Sequence, residues 1–182
     1  MKKKELRVLY KQKRNDLSEL EIEKLQTSIY DQIYQLDFSS VKNIHIFLSI
    51  EKHKELNTYP IIEYLQRLGK SIIISKSNFS DSTLTHFIFD DNTVLKENKY
   101  GIPEPIEAEA IAVEKIDLVF VPLLISDEHN YRVGYGKGFY DRFLQNCRND
   151  IQTIGLNFFK PITHILDINE FDIPLQRIIY PT

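Results

Sequence analysis

The chain reads as α/β, a single-domain three-layer sandwich over residues 1–182 with a mostly parallel central sheet and helices on both faces. Three observations predict it. Apolar strand-like segments alternate with helical ones from residue 43 onward. A helical stripe precedes them, and no repeat, low-complexity tract or long linker divides the chain. With 182 residues, 42% of them hydrophobic and 27% charged, the chain can close one core without a disulfide or metal staple.

Residues 2–36 are helical in two pieces. Asn15-Asp16-Leu17-Ser18 interrupts them, and Ser18 with Glu21 forms the S-x-x-E of a capping box. Leu25, Ile29, Ile33 and Leu36 then recur at helical spacing. Residues 43–48 are β-branched and aromatic, a buried strand. Residues 57–68 form the next helix, with Pro60 in its first turn and Gly69 as its stop. Residues 70–76 return as a strand, which completes a βαβ unit. A short strand at 85–89, a stiff turn at 101–105, strands at 117–122, 151–156 and 177–180, and a helix at 138–147 follow.

Composition excludes several classes. Lys plus Arg number 23 against 26 Asp plus Glu, so the net charge of -3 is not that of a nucleic-acid coat. Seven Lys or Arg among the first fourteen residues leave a local nucleic-acid module as an alternative, one that would bind with a steep salt dependence. A single cysteine, Cys147, permits no internal disulfide and no cysteine cluster for zinc, fits a reducing cytoplasm, and reads as a buried apolar residue. No apolar run approaches a membrane span or a signal-peptide core, so no membrane is expected. The five histidines (45, 53, 86, 129, 164) show no metal spacing and read as structural or surface residues.

Glycine is the unusual entry in the composition. There are six, and Gly134, Gly136 and Gly138 fall within five residues. They lie in Arg132-Val133-Gly134-Tyr135-Gly136-Lys137-Gly138-Phe139-Tyr140-Asp141-Arg142, after a strand and at the start of a helix. Such spacing permits positive φ and close approach of backbone amides to an anion, beside a helix N-terminus and two full positive charges. It is neither a Walker loop nor a dinucleotide fingerprint, since Phe139 stands where the latter needs glycine. Taken alone the trio also suits a flexible turn, and a sugar-phosphate isomerase or a CoA-transferase-like α/β protein on a related sheet is a further alternative.

R-V-G-Y-G-K-G-F-Y-D-R after I-D-L-V-F-V-P resembles the signature of the 5-formyltetrahydrofolate cyclo-ligase family. The early K-x-x-x-R, the I-F-L-S strand end, G-I-P-E-P and the late D-I-P stand in family order, so the resemblance spans nearly the whole chain. It implies a single cyclo-ligase domain that acts as a monomer in the cytoplasm. Its substrates would be 5-formyltetrahydrofolate and, as co-substrate, ATP, with Mg²⁺ as cofactor. The product would be 5,10-methenyltetrahydrofolate, with release of ADP and phosphate.

By the same resemblance the ATP site comprises Lys3, Arg7, Arg132, Val133, Gly134, Tyr135, Gly136, Lys137, Gly138, Phe139 and Tyr140, with Lys137 and Arg132 catalytic. Lys3 and Arg7 are four apart, on one helical face. The folate positions are Leu48, Glu55, Tyr100, Glu104 and the loop residues Tyr135, Gly136, Lys137, Gly138 and Phe139. Asp141 and Asp172 would hold Mg²⁺, which needs only one or two carboxylates beside waters and phosphate oxygens. Leu123, Ser126, Asn130 and Phe139 depart from the residues usual in the family, and Asn130 replaces glycine with the residue that best tolerates positive φ.

Overall fold

The computed structural model describes residues 1–182. Helices α1 (Lys3–Asn15) and α2 (Glu19–Tyr34) precede strand β1 (Asn43–His45). Helix α3 (Tyr59–Arg67) leads into β2 (Ser71–Asn78) and β3 (Thr83–Phe89). A hairpin of β4 (Leu95–Glu97) and β5 (Pro103–Pro105) comes next, then β6 (Leu118–Pro122). A second hairpin, β7 (Ile125–Ser126) with β8 (Arg132–Val133), precedes α4 (Phe139–Gln145), β9 (Gln152–Leu156) and β10 (Arg177–Ile179).

The central sheet has six strands in the order β10-β9-β6-β1-β2-β3, all parallel except the antiparallel edge strand β3. Side-chain alternation divides its two faces. Ile72, Ile74, Leu118 and Phe120 pack with Ile29 and Ile33 of α2 and Ile61, Ile62 and Leu65 of α3. Ile73, Val119 and Val121 pack on the other face with Phe143 and Leu144 of α4. A third cluster joins Leu6 and Tyr10 of α1 to Ile125, Val133 and Ile165, and so docks the N-terminal helix beside the second hairpin.

Local signals are realised in detail. Ser18 Oγ accepts from Glu21 N–H at 3.3 Å while Glu21 accepts from Ser18 N–H at 2.8 Å, a reciprocal cap that separates α1 from α2. Strand β1 is shorter than the 43–48 reading. Ile46 N–H still bonds to Ile73 C=O at 2.9 Å, but Phe47 C=O turns to accept from Thr58 Oγ, which bends the chain off the sheet into the 47–55 loop. The stiff turn at 101–105 is the second arm of a hairpin whose short arms carry no apolar alternation. Gly155 lies inside β9, where an added Cβ would stand 2.6 Å from Leu123 Cδ2. The absent side chain at Gly155 makes room for Leu123. Asn130 has φ 63°, as its substitution for glycine requires.

β1 lies between β2 and β6, at the point where the strand order reverses. In open α/β sheets ligands bind beyond the carboxyl ends of strands at such a reversal. The segments that leave β1 and β6 there, with β8 and α1, enclose the cavity described next.

Candidate active site

A cavity of about 440 Å³ opens at this end of the sheet, lined by residues of α1, the loop after β1, β2, the glycine loop and the segment before β10. One end is cationic. Lys3, Arg7, Lys11 and Arg14 recur at spacings of four, four and three along α1, so one helical stripe faces the glycine loop. Arg7 Nε donates to Gly134 C=O at 3.0 Å, and its guanidinium lies 2.9 Å from where a Gly136 Cβ would stand. Gly136 has φ 91° and Gly138 has φ 73°; both conformations favour glycine, and the close approach of Arg7 leaves no room for a Cβ at 136. Lys137 is exposed on the loop, in no ion pair, with its side chain lining the cavity. Helix α4 is only seven residues long, so the loop amides and the cations, more than a helix dipole, set the local charge.

The other end is aromatic. Phe79 packs against Tyr100 with centroids 4.4 Å apart and ring planes tilted by 38°, and meets Phe139 edge-on at 5.3 Å. Ile102, Pro103 and Leu84 continue this apolar wall.

Buried polar pairs fix the loop between these ends. The Tyr135 hydroxyl donates to Glu55 and accepts from Arg14 Nη2. Glu55 also accepts from Ile50 N–H at 2.9 Å. Burial raises the Glu55 carboxyl above its usual range, opposed by the Tyr135 hydrogen bond and the charge of Arg14. Arg132, 9% exposed, donates to Ile173 C=O at 2.6 Å and to Asp141 at 2.7 Å. Lys3 Nζ bonds to Asp172, which ties the N-terminal helix to the segment before β10.

Most residues anticipated for the site converge on the cavity: Lys3, Arg7, Leu48, Glu55, Tyr100, Arg132, Gly134 through Phe139, Tyr140, Asp141 and Asp172. Two do not. Val133 is fully buried in the third core cluster, paired with Ile125 in the hairpin. Glu104 turns away to accept from Ser77 N–H at 2.8 Å, a backbone tie that its exposed-looking sequence context conceals. Arg132 is thus a buried tie between Asp141 and the segment before β10 as well as a lining residue of the cavity.

Other lining residues escaped the sequence. Lys11 lines the cavity and Arg14 bonds to Tyr135; both continue the helical period that Lys3 and Arg7 begin, a signal present in the spacing. Phe79, on the chain between β2 and β3, carried none. The histidines divide between structural and surface positions, with His129 and His164 exposed and His53 half-buried. His45 and His86 are buried and joined through one hydroxyl, His45 Nε2 to Ser75 Oγ at 2.7 Å and Ser75 Oγ to His86 Nδ1 at 2.9 Å. Burial depresses both imidazoles, His86 to about 4. His45, His53 and Ser75 line the cavity. Cys147 is inert as expected: half-buried, its thiol pushed up to about 11 and donating to Phe143 C=O.

The donor set suits a hard cation. Asp141 Oδ1 and Asp172 Oδ2 are engaged by Arg132 and Lys3, while Asp141 Oδ2 and Asp172 Oδ1 accept no hydrogen bond. Two free carboxylate oxygens at a cavity also lined by Lys3, Arg7, Lys11, Arg132 and Lys137 fit Mg²⁺ shared with phosphate oxygens.

Fold and cavity together define an α/β protein whose cleft at the carboxyl end of the sheet is cationic at its glycine loop and aromatic at its far wall. A sequence model of the 5-formyltetrahydrofolate cyclo-ligase family matches residues 1–181, and the chain belongs to that family. The chain is 32% identical over 143 residues to the 5-formyltetrahydrofolate cyclo-ligase of Escherichia coli, covering 76% of this chain and 78% of that protein. To the mouse protein of the same name it is 27% identical over 154 residues, 79% and 75% of the two chains. The solved structure of Aquifex aeolicus 5,10-methenyltetrahydrofolate synthetase superposes with a TM-score of 0.81 at 27% identity, covering 98% and 89% of the chains. The Mycoplasma pneumoniae synthetase has the same fold, with a TM-score of 0.79 at 24% identity and 99% of each chain covered.

Proposed function

We propose that residues 1–182 form one catalytic domain that converts 5-formyltetrahydrofolate to 5,10-methenyltetrahydrofolate with ATP and Mg²⁺, releasing ADP and phosphate. The observation that carries this reading is the two-ended cleft: cations around a glycine loop at one end, packed aromatic rings at the other. A triphosphate suits the first and a pterin ring the second. The enzyme acts as a monomer in the cytoplasm on these two small molecules, without nucleic acid or membrane.

An N-formyl amide is a poor electrophile, and its oxygen leaves poorly. The formyl oxygen attacks the γ-phosphorus of ATP and ADP departs, leaving an imino phosphate at N5. N10 of the same folate adds to that carbon and loses its proton; the C–O bond breaks, phosphate leaves, and the amidinium ring closes. Phosphoryl transfer asks the protein mainly for positioning and charge neutralisation. Lys3, Arg7, Lys11 and the loop amides hold the phosphate chain, and Lys137 faces the transferred group. Arg132 fixes Asp141 and, through Ile173, the segment bearing Asp172. Mg²⁺ bound by Asp141 and Asp172 would supply neutralisation of phosphate charge. Tyr135, pinned by Glu55 and Arg14, holds the loop over the folate, while Leu48, Phe79, Tyr100 and Phe139 bury the ring and exclude water.

Formation of the methenyl chromophore from 5-formyltetrahydrofolate, followed by absorbance, tests this. Product should form only when ATP and Mg²⁺ are both present, and its absence at saturating concentrations removes the reading.

A further inference from the structure

We propose that Asp127, His129 and His164 form a binding site for a divalent transition metal, Zn²⁺ by its donor set, outside the cleft and independent of the reaction. Each residue offers one ligand atom, and these atoms lie within 4.8 Å of one another. Two imidazoles and one carboxylate are the donors that zinc-type ions favour over magnesium. Bond lengths of about 2.0–2.2 Å bring such donors within roughly 3.4 Å of each other, a closure within reach of the two exposed rings.

The state of Asp127 points the same way. It is 0% exposed, and its side chain meets no Lys or Arg. Oδ1 accepts from His129 and Tyr131 N–H, both at 3.0 Å, and Oδ2 accepts from Ile165 N–H at 3.2 Å. The only ionisable partner is His164, with Nδ1 at 3.9 Å from Oδ2. A buried carboxylate calls for a compensating cation, and His164 at that distance is more a neighbour than a bonded partner.

The backbone holds the three donors in place. Glu128 N–H bonds to Ile162 C=O and Ile162 N–H to Ser126 C=O, both at 2.9 Å, so a single parallel bridge between Asp127 and Ile162 holds the 162–165 segment against the β7–β8 hairpin. The same segment continues to Leu166, whose N–H bonds to Met1 C=O, and to Asp167, which accepts from Lys3 N–H at 2.7 Å. On the other side the hairpin leads directly into Arg132 and the glycine loop. A metal here would clip the support of the α1 cations to the support of the loop.

Calorimetric titration with ZnCl₂ and visible spectroscopy with Co²⁺ test the site on the full chain. His129 and His164 are exposed, so H129A and H164A should fold, whereas Asp127 also caps the hairpin turn and is left intact. The parent should bind one Zn²⁺ per chain with micromolar or tighter affinity and give ligand-field bands with Co²⁺. Each variant should weaken Zn²⁺ binding by roughly tenfold or more, by analogy with losses in metal shells. No uptake by the parent at neutral pH would leave Asp127 and His164 a simple ion pair. Either that result or equal uptake by the parent and the double variant would overturn the proposal.

Discussion

Tyr135 and Glu55 are 80 positions apart, yet the hydroxyl of one donates to the buried carboxylate of the other. Arg14 completes the set from α1, so the glycine loop, the loop after β1 and the N-terminal helix meet at one phenol. Burial and the adjacent carboxylate push this phenol well above its ordinary value, so it is a fixed donor to Glu55 at any working pH.

Tyr135→Phe therefore strands two buried charges. Removing a shared hydroxyl while its partners stay should cost about 1–3 kcal/mol of stability. The urea midpoint should fall with an unchanged slope. An unchanged midpoint would mean that Arg14 and Glu55 are solvated without the hydroxyl.

Lys137→Ala and Arg132→Ala separate binding from folding. Lys137 is exposed and in no ion pair, so its loss should lower kcat/KM for ATP by roughly ten- to a hundredfold with thermal stability unchanged. Arg132 is buried against Asp141 and Ile173, so Arg132→Ala should also cost about 3 kcal/mol, the lower end for breaking a buried pair. Parallel activity and thermal-melt measurements decide it. Equal stability of both variants would contradict the buried-tie assignment.

Asp141→Asn keeps a carbonyl acceptor for Arg132 but removes one carboxylate charge from the cleft. The Mg²⁺ concentration for half-maximal rate should rise by roughly tenfold, the scale of losing one unit charge at close range. A magnesium titration superimposable on the parent's would exclude Asp141 as a ligand.

Acid should weaken the fold through the histidine pair. His45 and His86 stay neutral when folded, His86 down to about 4, while the unfolded chain protonates them from about 6.5. Between those values the unfolded state binds more protons, so stability is present above about pH 6.5 and is lost as pH falls toward 4. The His86 share alone is of the order of 3 kcal/mol. Urea melts at pH 7.5 and 4.5 should show that loss in the parent and a smaller one in His86→Leu.

The fold was largely legible because its strands and helices carry local signals: the Ser18–Glu21 cap, Pro60 and Gly69 around α3, and apolar runs in β2, β6 and β9. The two hairpins were not, since arms of two or three residues show no period. The glycine loop and its flanking charges were visible as residues spaced for an anion. What those residues bond to was not. Val133 and Glu104 sit in the right motifs but point into the core and onto a backbone amide, a distinction set by packing. Ser75 joins His45 and His86 only through the register of β1, β2 and β3, which strand pairing alone creates.

In the proposed reaction one cleft couples phosphoryl transfer to ring closure. The most direct measurement counts products in one reaction: methenyl-folate by absorbance, with ADP and phosphate quantified in the same samples. One ADP and one phosphate should form per methenyl-folate, and neither should rise above background when 5-formyltetrahydrofolate is left out. Methenyl-folate formed without ADP, or ADP released without ring closure, would contradict it.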